Sequence, residues 1–157
     1  MHSRLFAALL ALAPAGTLSA QTVGVPRAVD FSTSAVAPGS WIYQALPGGS
    51  ESRFVDATGT ARLVLHCTKA TRQVSISHAS GVPAASLSVW TSSASRNLPV
   101  RFEANAMRVT AELFALDPLL DAIAFSRGRF AVTMAGGSPL VVPAWPEAAR
   151  TIEDCRI

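Results

Sequence analysis

The chain has 157 residues, half of them hydrophobic and only 15% charged, with 13 basic against 10 acidic side chains. That length holds one domain and can bury a sizeable core without metals or many cross-links. The basic residues stand singly, Lys69 being the only lysine, so no nucleic-acid partner is expected.

The first twenty residues read as an export signal. Met1 to Arg4 is a short basic start, Leu5 to Pro14 an apolar run, and Ala15 to Ala20 a stretch of small residues suited to cleavage. About ten apolar residues are too few to span a bilayer, which needs roughly twenty. Cleavage is expected after Ala20, or else after Ala15. Residues 21–157 then form a single exported domain with no later membrane span, in the periplasm or outside the cell. Removing Arg4 lowers the formal charge from +3 to +2.

The remaining chain alternates and turns often. Strands are predicted at Ala28–Ser32, Trp41–Leu46, Arg53–Ala57, Ala61–Cys67, Gln73–Ser77, Leu87–Thr91, Val100–Glu103, Arg108–Leu113, Phe130–Met134 and Leu140–Val142. Turns fall at Ala35–Ser40 and Leu46–Glu51, each with a Pro-Gly pair, and Ser92–Ser95 reads as an exposed loop. In Ala61–Cys67 the residues Ala61, Leu63, Leu65 and Cys67 share one face, which aims Cys67 at a core. Thr68–Thr71 then turns the chain back into Val74-Ser75-Ile76-Ser77.

Two helices are predicted late in the chain. The first runs from Leu116 to Gly128, with Asp117 as N-cap, Pro118 at the first helical position and Gly128 as C-terminal cap. The second runs from Pro146 to Asp154, with Trp145, Ala148 or Ala149, Ile152 and Cys155 at helical spacing. The fold class expected is mainly β, sandwich-like, with two short helices; α+β is the alternative. Cys67 and Cys155 are the only cysteines, and in an exported protein an even count points to a disulfide. That bond would tie the closing helix to the sheet.

Candidate chemistry is sparse. His66 and His78 fall on the two arms of one predicted hairpin. A turn centred between Lys69 and Ala70 would hold them five strand positions apart, roughly 16 Å, too far to share a metal ion. No Gly-x-Ser-x-Gly elbow or Ser-x-x-Lys pair occurs. Asp117 and Asp121 share a helix face, but Asp117 is needed as a cap. Glu153 and Asp154 are expected in solvent or paired with Arg150 or Arg156. Trp41, Tyr43, Trp90 and Trp145 are spaced as core or core-edge aromatics, with a ligand platform as the alternative. The corner Ser126-Arg127-Gly128-Arg129 stands out: arginine suits two-pronged contacts to carboxylate or phosphate. Arg127 and Arg129 are the candidate contacts for an anion or an acidic partner; the alternative is a helix C-terminus neutralised by cations or an internal pair with Asp121 or Glu153. No motif calls for a cofactor or a metal.

Three stretches carry a resemblance: Leu63-x-Leu65-x-Cys67, Asp117 to Ala122 running into Ser126-Arg127-Gly128-Arg129-Phe130, and the tail Pro143-x-Trp145-x-Glu147-x-x-Arg150-x-Ile152-x-Asp154-Cys155. From Trp41 onward the chain resembles small exported bacterial proteins of uncharacterised function. Its layout is also similar to TagO-like accessory proteins of type VI secretion and to invasion-associated locus B proteins. The resemblance implies a β-rich exported domain with one disulfide, and it carries over no catalytic residues. The leading expectation is a non-enzymatic periplasmic accessory or binding protein, with another periplasmic or envelope protein as partner. A small periplasmic hydrolase whose site forms only in three dimensions is one alternative. An inhibitor of an exported or cell-wall enzyme is another.

Overall fold

The structure is a computed structural model that describes residues 31–157; the export signal and its cleavage site lie outside the described residues. Ten strands form two antiparallel sheets. They are β1 (Ser40–Leu46), β2 (Gly49–Val55), β3 (Ala61–Thr68), β4 (Gln73–Ala79), β5 (Ser86–Trp90), β6 (Ser95–Pro99), β7 (Arg101–Glu103), β8 (Arg108–Phe114), β9 (Arg129–Met134) and β10 (Leu140–Pro143). Helix α1 (Pro118–Ala124) sits between β8 and β9, and α2 (Pro146–Asp154) closes the chain. The larger sheet runs β1-β2-β3-β4-β8-β7 and the smaller β10-β9-β5-β6. The mainly β class, with both helices late, is as the sequence predicts.

The pleat explains the core. In β3, Leu63, Leu65 and Cys67 are fully buried, and their partners in β4 are His78, Ile76 and Val74. Facing them are Leu87 and Val89 of β5 and Phe130 and Val132 of β9, all fully buried or nearly so. One apolar cluster therefore joins both sheets and both helices. Trp41 is the bolt between the layers. Its ring stacks on Phe130 at 6.2 Å and meets Phe54 edge-on at 5.5 Å, while its indole N–H donates to the Pro143 carbonyl at 2.8 Å. A buried tryptophan needs that acceptor to avoid stranding its polar atom.

Helix α2 packs on β1, β2 and β3 and beside α1. Ala148, Thr151, Ile152 and Cys155 face inward. Cys155 is bonded to Cys67, with 5.4 Å between the Cα atoms. Beside the bond lie hydroxyl contacts in the interface: Ser52 Oγ lies 2.6 Å from Thr151 Oγ1 and donates to the Glu147 carbonyl. At the rim the Tyr43 hydroxyl donates to Asp154 at 2.7 Å, and Arg150 lies over the Tyr43 ring at 4.1 Å.

Several sequence expectations change. Phe31 and Ser32 are not in a strand, and the rest of the predicted Ala28–Ser32 strand lies outside the described residues. Only Pro47 and Gly48 form the first hairpin loop, because Leu46 pairs with Gly49. A Cβ on Gly49 would meet the Cys67 carbonyl oxygen at 1.9 Å, so the strand can pass there only as glycine. Helix α1 ends at Phe125, whose N–H already bonds Asp121 and Ile123 carbonyls, short of the predicted Gly128. Trp145 is the N-cap of α2 and 43% exposed, outside the inward stripe. Among the described residues no helix is long and apolar enough to cross a membrane.

Candidate functional site

The end of the smaller sheet carries a cleft of about 520 Å³, within the usual size range of small-molecule sites. Its wall is the loop from Trp90 to Ser95, its floor includes Phe130, and its cationic side is the corner holding Arg127 and Arg129. Phe31 and Ser32 complete it. The two arginines singled out in the sequence thus come together with a tryptophan and a hydroxyl-rich loop that had no assigned role.

Local bonding builds both rims. Thr91 folds its own loop: its N–H and its hydroxyl both donate to the Ala94 carbonyl, and its Oγ1 accepts from the Ser93 and Ala94 amides. The opposite rim forms because Gly128 adopts φ +74°, a left-handed turn that glycine enters without a Cβ penalty. That turn ends the helical connection and starts β9 at Arg129. Two serines then lock the rims together. The Ser92 amide donates to Ser126 Oγ at 3.0 Å, and the Arg127 amide donates to Ser92 Oγ at 3.0 Å. The Ser126 hydroxyl in turn donates to the Arg129 carbonyl at 2.6 Å. Ser126 is buried and Ser92 is exposed, so the reciprocal pair joins a buried end to an exposed one and ties the two rims of the cleft together.

The chemistry of the lining is one-sided. Among the described residues it contains two guanidinium groups, hydroxyls and aromatic rings, and no Asp, Glu, His, Cys or Lys. The guanidinium of Arg129 donates to the Ser34 carbonyl. The exposed guanidinium of Arg127 has no partner among the described residues. Acidic groups that could have neutralised this corner are held elsewhere: Asp121 and Glu153 both pair with Arg156, and Asp117 pairs with Arg96. Trp90 meets Phe31 edge-on at 5.8 Å, and its buried indole N–H has no acceptor among the described residues. An unpaired buried donor costs roughly 1–3 kcal/mol.

The other candidates do not join this cleft. Loop Lys69–Arg72 separates β3 from β4, with Arg72 at φ +51°, and this shifts the predicted hairpin register by two. His66 now faces Ser75 and His78 faces Leu63. The histidines are three strand positions apart, about 10 Å, not five. An odd offset puts them on opposite faces. His66 lies 3.5 Å from Glu51. His78 is buried; desolvation lowers its pKa, against a 2.7 Å contact between Nδ1 and the Ala79 carbonyl. Asp117 caps α1 by accepting from the Leu119 amide at 2.8 Å. The hydrogen bond to Asp154 raises the Tyr43 pKa. Among the described residues no three His, Cys, Asp or Glu side chains gather as a metal site would need. Trp41 is core, and Tyr43 and Trp145 lie along α2, away from the cleft lining.

The sequence reads Trp90 as core or core-edge, with a ligand platform only as the alternative, and gives the Thr91–Ser95 loop no binding role. The available cue was a run of four hydroxyl residues in five positions directly after a tryptophan. No protein-family model, curated protein or solved structure matches this chain, and its function is therefore read from the chemistry of the cleft.

Proposed function

We propose that this protein is a non-enzymatic binding protein of the bacterial envelope, exported by its N-terminal signal, that holds a small ligand in the cleft between Trp90–Ser95 and Ser126–Arg129. The observation that carries the proposal is the make-up of that cleft. Among the described residues it offers fixed cations, hydroxyls and rings, but no side chain ready to take or give a proton near neutral pH. Its serines have no histidine or lysine beside them in the lining, so nothing there activates a hydroxyl as a nucleophile. The buried Cys67–Cys155 bond supports an oxidising compartment. The likeness in layout to TagO-like and invasion-associated locus B proteins belongs to the same proposal.

The test is a thermal-shift screen of sugars, amino acids, short peptides and organic acids against the native protein and the variant Ala94→Trp. Ala94 is exposed and lines the cleft, so the variant fills the space and should keep the fold. At least one class should raise the native midpoint and lose that effect in the variant. Stabilisation that survives Ala94→Trp, or turnover of ester, amide or glycoside substrates that cleft substitutions abolish, would overturn the proposal.

A further inference from the structure

We infer that the ligand of this cleft is a singly charged carboxylate carried on a flat ring, with the carboxylate on Arg127 and the ring on the Trp90 side. The inference rests on the cleft being the binding site and adds the ligand's chemistry.

Charge comes first. Among the described residues the lining holds two guanidinium groups and no acidic group, so an anion is favoured. Arg129 already serves Ser34, which leaves Arg127 as the free fork. A guanidinium presents two parallel N–H donors that match the two oxygens of a carboxylate.

The loop amides decide between a carboxylate and a phosphate. Phosphate sites in proteins recruit several backbone N–H groups into a nest. Here those groups are spent. The amides of Ser92, Ser93, Ala94 and Arg127 each bond a serine or threonine hydroxyl oxygen of the rims. A doubly charged phosphate would find one free guanidinium and no nest, while a monoanion needs no more than that.

The body of the ligand follows from the other wall. Trp90 is half-buried, packs with Phe31, and stands over a floor that includes Phe130. Such a surface favours a flat ring, by stacking or edge contact.

The experiment is an NMR titration of the purified protein with three probes: N-benzoylglycine, its neutral primary amide, and inorganic phosphate. The readouts are the Trp90 indole N–H and the amides of residues 92–94. N-benzoylglycine should give a saturable shift at these positions, and the neutral amide should bind at least tenfold more weakly. Phosphate should neither shift them saturably nor displace N-benzoylglycine. Arg127→Gln should weaken N-benzoylglycine about tenfold with the rest of the spectrum unchanged. Equal binding of acid and amide, or an unaffected Arg127→Gln variant, would overturn the carboxylate assignment. So would phosphate binding more tightly than the acid. If none of the probes moves the cleft while a screened compound still depends on Ala94, the ligand class falls and the site stands. If no compound depends on Ala94 either, both fall.

Discussion

Cutting the Cys67–Cys155 bond is expected to remove most of the stability of this fold. The two cysteines are 88 residues apart, so the bond closes a loop that covers β4 to β10, both helices and most of the core. Chain-entropy bookkeeping for a loop of that length gives about 4.6 kcal/mol at ~25 °C. Both sulfurs are buried, at 0% and 1% exposure. Replacing both cysteines by alanine therefore also leaves small voids, adding about 1 kcal/mol each by analogy with deleting a buried methylene. The sum approaches the whole stability of an ordinary domain, about 5–15 kcal/mol. The assay is urea unfolding of the oxidised protein and of Cys67→Ala/Cys155→Ala, with the slope compared as well as the midpoint. A loss below about 2 kcal/mol with an unchanged slope would refute the reasoning. It would mean that Ser52, Thr151 and Ile152 hold α2 without the cross-link. Because neither sulfur reaches solvent, reductant should release thiols only as fast as the protein unfolds.

Four further outcomes follow from individual residues. Ser126→Ala strands the Ser92 amide and the Arg129 carbonyl; it should cost about 1–3 kcal/mol and speed amide exchange at Ser92, both readable by hydrogen exchange. Asp117→Ala removes the cap on the Leu119 amide and should cost about 1 kcal/mol, whereas Arg96→Ala, which removes only the half-exposed ion pair, should cost under ~1 kcal/mol in the same melts. Gly49→Ala drives a Cβ into the Cys67 carbonyl and should destabilise by about 2 kcal/mol or more through forced backbone shifts. His78 has a folded pKa below its ordinary 6.5 because burial disfavours the charged ring. The unfolded chain therefore takes up the proton first as pH falls. Stability from this group is complete above ~6.5 and drains away between there and the lower folded value. His78→Gln should flatten that part of a urea-midpoint profile against pH.

The legible parts of this fold are those where one physical rule dominates. Strand β3 alternates apart from Val64, which is buried on the other face, so its start at Ala61 and the inward aim of Cys67 follow from the pleat, and it runs one residue past the expected end, to Thr68. Helix α2 has proline at its start and an apolar stripe, and its limits agree with the pattern. The misses have causes of the same kind. Strand β6 reads Ser-Arg-Asn-Leu-Pro, with Leu98 alone buried; an edge strand with one apolar residue carries no periodic pattern. The histidine register slipped because Arg72 takes a left-handed conformation, rarely adopted by arginine. Helix α1 stops early because Ser126 turns its hydroxyl to the Arg129 carbonyl and its oxygen to the Ser92 amide, a bond across 34 residues. That same long-range bond assembles the cleft. Arg127 and Arg129 could be singled out from sequence as a pair of cations at a turn, but their meeting with Trp90 depends on β5 pairing with β9, where Trp90 faces Ala131. No local spacing encodes that pairing.

The central claim is that this molecule meets its ligand in the cleft between the Trp90–Ser95 loop and the Ser126–Arg129 corner. A chain-wide map of amide shifts at saturating N-benzoylglycine, taken on the native protein and on Ala94→Trp, tests it most directly. Shifted amides should be confined to residues 90–95 and 126–130, and they should disappear in the variant. Shifts centred elsewhere, such as the outer face of the larger sheet around Glu51 and His66, or shifts that persist in Ala94→Trp, would contradict it.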